Sequence, residues 1–234
     1  MKRNEEILEV MEWLYSMKDD FFFVDENIQE IEKSKVFLEK YWIGKEEYES
    51  KFSLLQTTIF NQDSFLPQNV FKDHFKIFGI DLAGGTFFKE EYGFFHDFLL
   101  NLNEEYFFII ENNCTSVMKE KRDVLLRFKF PASITYQELA SGGTISNILL
   151  KGRYPKDYFV FGESASWGKY AANIDYDLYM IGFSPSIEKQ IRSYFMEFTE
   201  DNKKLIRLMT PTENPTAREM HYSRMVNYLP SMIT

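Results

Sequence analysis

The residue types that could carry out chemistry in this chain gather around Ser164. It stands in the string Phe161-Gly162-Glu163-Ser164-Ala165-Ser166, between small residues, and Asp175, Asp177, Asp201 and His221 follow it. A hydroxyl, an acid and an imidazole are the parts of acyl transfer: the imidazole takes the serine proton as the oxygen attacks, and the acid orients the imidazole. The set on offer is Ser164 as nucleophile, Asp177 as acid and His221 as base. Other constellations are poorer. His74, His96 and His221 are scattered, Cys114 stands alone, and no HExxH, paired-cysteine or calcium-loop spacing occurs, so no metal site is read. Glu90-Glu91 and Glu104-Glu105 are adjacent carboxylates, and neighbours on a strand point to opposite faces, so both pairs read as solvated charge. Leu82-Ala83-Gly84-Gly85-Thr86 has neither a GxGxxG pattern nor a GK[ST] ending; it reads as a turn, and no cofactor is expected.

The same region supports a second reading without catalysis. Residues 162–177 combine Trp167, Tyr170 and Tyr176 with Glu163, Asp175 and Asp177 around Gly168. Trp and Tyr desolvate well and still hydrogen-bond, which is why they dominate interface hot spots. Glu163, Trp167, Tyr170, Asp175 and Asp177 therefore form the candidate binding set. The competing interpretation is that Trp167 plugs a sheet and the acids cap turns.

The elements that must position these residues can be read along the chain. Over residues 4–18, Ile7, Val10, Met11, Leu14 and Tyr15 recur at helical spacing, with Glu5, Glu6, Glu9 and Glu12 on the other face. A second helix is expected over 27–41, ending at a left-handed Gly44, and a third over 46–60 with Tyr48, Phe52, Leu55 and Ile59 on one stripe. Residues 68–78 read as a short helix after Pro67, with Gly79, Gly84 and Gly85 in turns. Residues 94–102 fit either a helix or a buried strand. Residues 105–111 and 124–130 are short aromatic and β-branched runs, which argue for antiparallel sheet. Thr135 to Glu138 fits a capping box opening a short helix that Gly142 and Gly143 would end. Residues 144–150, 158–161 and 177–183 supply further strand-like runs, the last apolar on both faces and so central or covered. Ser184 and Pro185 then open a helix with Ile187, Ile191, Tyr194, Phe195 and Phe198 as its buried stripe. The fold class expected is α+β: N-terminal helices on a mainly antiparallel sheet, then C-terminal helices, in one domain with a helical part over about 1–65 and an α+β part over about 66–234.

Bulk properties narrow the function. Lys+Arg 27 against Asp+Glu 36 gives a formal charge of −9, which repels polyanions, and no Lys/Arg run tracks a phosphate backbone; nucleic acid is not an expected partner. An acidic surface instead favours encounter with a basic protein, although it serves solubility equally well. Phe 24 and Tyr 14 point mainly to core. One cysteine allows no internal disulfide, no apolar run approaches the roughly 20 residues that span a bilayer, and the first residues lack a secretion signal; the chain reads as cytoplasmic, with no membrane partner.

Two resemblances follow from these residues. Gly162-Glu163-Ser164-Ala165-Ser166 resembles the GxSxG nucleophile elbow of α/β-hydrolases, with Ser166 in place of the second glycine, and implies an esterase-like acyl hydrolase. That fold needs alternating strands and helices around the elbow, whereas the upstream half reads as helices. A strand ending in Phe161-Gly162, then an acidic small-residue loop with a glycine and a further Asp-bearing strand, resembles the C-terminal core of the SUKH superfamily. Leu66-Pro67 followed by Phe71, Phe75 and Gly79 is similar to its leading LPxxY helix. This second resemblance implies an α+β protein that neutralises a toxin by occlusion, without catalysis. The expected function is thus noncatalytic protein binding, immunity-like, toward a basic protein or toxin, with the hydrolase as the alternative.

Overall fold

The computed structural model describes residues 2–17, 27–61, 70–81, 85–87, 89–112, 123–151, 156–172, 178–191 and 193–194. It is α+β, with helices α1 (Arg3–Ser16), α2 (Ile28–Tyr41), α3 (Lys45–Lys51), α4 (Ser53–Ile59), α5 (Lys89–Asn101), α6 (Tyr136–Leu139) and α7 (Gly143–Lys151). The strands are β1 (Lys76–Asp81), β2 (Tyr106–Glu111), β3 (Arg127–Pro131), β4 (Tyr158–Gly162), β5 (Trp167–Ala172) and β6 (Leu178–Phe183). All neighbouring pairs are antiparallel, in the order β1-β6-β5-β4-β2-β3.

Alternation along the strands splits the apolar residues between two core layers. Phe107, Ile109, Phe128, Phe130, Val160, Trp167, Ile181 and Phe183 face one layer, which α1, α2, α5 and α7 complete with Leu14, Leu38, Phe95 and Ile148. Phe108, Ile110, Phe159, Phe161, Tyr170 and Met180 face the other, covered by Tyr48, Ile59, Phe60, Val70 and Phe71. The N-terminal helices thus serve both faces, because α1 and α2 pack on one while α3 and α4 lead to the other. Over β2, β4 and β5 the sheet is closed to water on both sides, which explains their near-continuous burial.

Several boundaries differ from expectation, each because a distant partner outweighed a local signal. Gly44 is not a left-handed cap: its φ is −65° and it precedes α3, since Trp42 and Ile43 leave the helix to bond the edge of β3 at Phe128 and Arg127. The third helix breaks at Phe52, whose ring lies 4.8 Å from that of Phe108. Residues 68–78 do not form a helix where they are described; Phe71 bridges Phe60 and Lys76 opens β1. Gly79 is no turn either, for it pairs with Met180 in the sheet. Residues 144–150 are helix α7 instead of strand, with Ile145, Ile148 and Leu149 forming a stripe at helical spacing. The ambiguous segment 94–102 is helical, lying in α5 up to Asn101. The capping box at Thr135 and Glu138 is present, although Ala140 closes that helix. After β6 the chain turns through a 3-10 segment, Pro185–Ile187, into helical residues 188–191.

Gly143 shows how closely α2 and α7 approach. Its φ is +57°, and a Cβ there would lie 2.0 Å from the carbonyl oxygen of Glu30. Ser34 fixes the same junction, donating from Oγ to the Gly142 carbonyl at 3.0 Å and accepting from the Ile145 N–H at 3.1 Å. Gly143→Ala should therefore destabilise the fold by at least about 2 kcal/mol, through strain at positive φ plus displacement of α2. Gly93→Ala, in α5 with open space around it, should stabilise by about 0.5–1 kcal/mol. Urea unfolding of the two variants tests both signs; equal midpoints would contradict the close approach.

Candidate functional site

The Gly162–Ser166 string forms the turn between antiparallel β4 and β5. A nucleophile elbow joins a strand to a helix so that the serine projects above the sheet, and this strand-to-strand turn lacks that context. The Ser164 hydroxyl donates to Glu104 Oε1 and its N–H donates to Oε2 at 3.1 Å. Glu104 also accepts from Trp167 Nε1 at 2.9 Å. One carboxylate at the α5–β2 junction thus gathers a hydroxyl, an amide and an indole from the facing turn. Ser166 adds an Oγ–Oγ contact of 2.8 Å with Ser164. Asp177 and His221, the expected acid and base, lie outside the described residues, as do Asp175, Asp201 and the Leu66-Pro67 pair.

Of the expected binding set, Trp167 and Tyr170 are not surface residues: they are 1% and 0% exposed. Both belong to β5, near the middle of the sheet. Trp167 makes edge contacts with Phe95 and Phe98, each 5.5 Å between ring centres. On the opposite face, Tyr170 donates to Asp157 Oδ2 at 2.8 Å and accepts from Asn112 Nδ2 at 3.0 Å. Gly168 is held within β5, where a Cβ would meet the Phe60 ring at 2.5 Å. Among the described members of the set, Glu163 remains at the surface, half-buried, accepting from the N–H of exposed Glu105 at 2.7 Å.

Sequence reasoning missed the buried charges. Lys169 on β5 pairs with Glu91 of α5 at 2.6 Å, and the Tyr194 hydroxyl donates to the same oxygen at 2.9 Å. Burial pushes the Lys169 ammonium down to about 8, against the opposing pull of Glu91. Lys156 pairs with Glu111 at 3.2 Å, and Glu111 also accepts from the Leu126 N–H at 2.8 Å. Arg127 pairs with Glu6 at 2.7 Å, where Trp42 Nε1 and the Lys45 N–H converge at 3.1 and 2.9 Å. Each of these acids joins elements far apart in sequence. The available signal was an acid at the end of an apolar run, as in Glu104 before β2 and Glu111 at its close. Among the described residues no cluster of three or more His, Cys, Asp or Glu could hold a metal ion, and no helix is long and apolar enough to cross a membrane. His74 lies beside Phe75 and His96 beside Asp97.

No family model, no curated protein and no solved structure matches the chain.

Two variant series follow from these contacts. Glu104→Leu should cost about 2–4 kcal/mol, because the Trp167 indole N–H and the Ser164 amide lose their acceptor inside the fold, whereas Ser164→Ala should cost about 1 kcal/mol. Similar losses for the two in urea unfolding would contradict the assignment of Glu104 as the hub. Lys169→Met should cost about 3–5 kcal/mol by leaving Glu91 buried without its cation, and adding Glu91→Leu should recover most of that loss. Because the ammonium titrates near 8 when folded and near 10.5 when unfolded, the unfolded chain holds the extra proton between these values. Lys169 therefore makes stability rise as pH climbs through that window, a gain lost as pH falls back through 8. Chemical denaturation from pH 7 to 10.5 should show that rise in the wild type relative to Lys169→Met; parallel curves would refute it.

Proposed function

We propose that the chain is a noncatalytic protein-binding module that meets a basic partner at the rim of the β4–β5 turn. The observation that carries this reading is the bond between the Glu105 N–H and the Glu163 carboxylate, which fixes half-buried Glu163 against the backbone of exposed Glu105. Beneath them Glu104 holds the turn through Ser164 and Trp167. A turn fixed before contact loses little conformational freedom on binding, and its charges steer a cationic partner toward it. The net charge of −9 acts in the same direction at longer range. Neutralisation of a toxin by occlusion is the form of binding that the SUKH likeness implies, and its support is that likeness together with the acidic rim. The buried Trp167 and Tyr170 act in this reading as foundations of the turn and make no contact with the partner.

The experiment is affinity capture on immobilised protein from the cells that make it, comparing wild type with a Glu105→Lys, Glu163→Lys variant of unchanged circular dichroism. Capture of a basic protein should fall at least tenfold in the variant and weaken as ionic strength rises from about 0.05 to about 0.5 M. Capture indifferent to both changes would remove the rim as the binding surface. Ser164 should remain unlabelled by an active-serine probe in the folded protein; labelling lost in Ser164→Ala would instead establish the hydrolase.

A further inference from the structure

We draw no further inference here: the strongest candidate, the open groove of about 330 Å³ between α2 and α6 lined by Lys33, Val36, Phe37, Lys40, Tyr41, Glu138 and Ser141, carries nothing because nothing in the structure shows what covers it.

Discussion

A strand buried on both faces cannot leave a polar side chain to water, and β5 carries three: the Trp167 indole, the Lys169 ammonium and the Tyr170 hydroxyl. Each meets a carboxylate, Glu104, Glu91 and Asp157 respectively. Without these partners each group would cost the full penalty of desolvation, several kcal/mol for the ammonium. The three acids come from the α5–β2 junction, from α5 itself and from the residue before β4, so pairing them also fixes where those elements lie. A slip of β5 by one residue would carry Lys169 to the face lined by Phe159 and Phe161 and leave Glu91 in an apolar layer. The paired charges add little net stability over an apolar core. What they supply is a penalty on the wrong register.

The aromatic abundance has the same origin. A sheet covered on both faces needs side chains that fill both layers, and the rings meet across strands and layers. Phe107 and Phe130 stand 5.3 Å apart, Phe108 and Phe161 5.1 Å, and Phe60 and Phe159 4.7 Å. Offset and edge contacts of this kind add specific geometry to the area they remove from water. Trp167 belongs to this network through Phe95 and Phe98. An indole in a polar stretch can be an anchor for a partner or a wedge in a core, and here the Glu104 carboxylate satisfies its N–H internally.

Where the determinants were local, the sequence carried them. α1 and α2 follow from apolar residues at helical spacing, α6 from Thr135 and Glu138, and β2, β4 and β6 from short aromatic and β-branched runs. Where a distant partner decided the matter, local signals misled. Ile145, Ile148, Leu149 and Leu150 suit a strand by composition, but their spacing fills the space beneath α2 as a helix. Residues 76–81 become a strand because β6 offers an edge. β5, Trp-Gly-Lys-Tyr-Ala-Ala, has no β-branched residue and reads as a loop; its glycine is required by the Phe60 ring and its lysine by Glu91, neither of which is near in sequence. The candidate site suffered accordingly, because Trp167 and Tyr170, chosen for their polarity and size, were consumed by the sheet.

That consumption sets what a binding surface at this turn can achieve. Exposed ion pairs contribute roughly 0–1 kcal/mol each, so Glu105 and Glu163 alone would guide a basic partner more than hold it. Holding requires apolar area close to the acids. Leu100, in the last turn of α5, is 48% exposed, and its carbonyl accepts from the Asn103 N–H just ahead of Glu104 and Glu105. Leu100 is thus an exposed apolar side chain just ahead of Glu104 and Glu105 in the chain, and Glu104 braces the turn through Ser164 and Trp167. A partner of the proposed kind would present a cation to the two acids. Its association rate would respond to salt, since rim charges act chiefly on encounter, whereas residence depends on apolar contact.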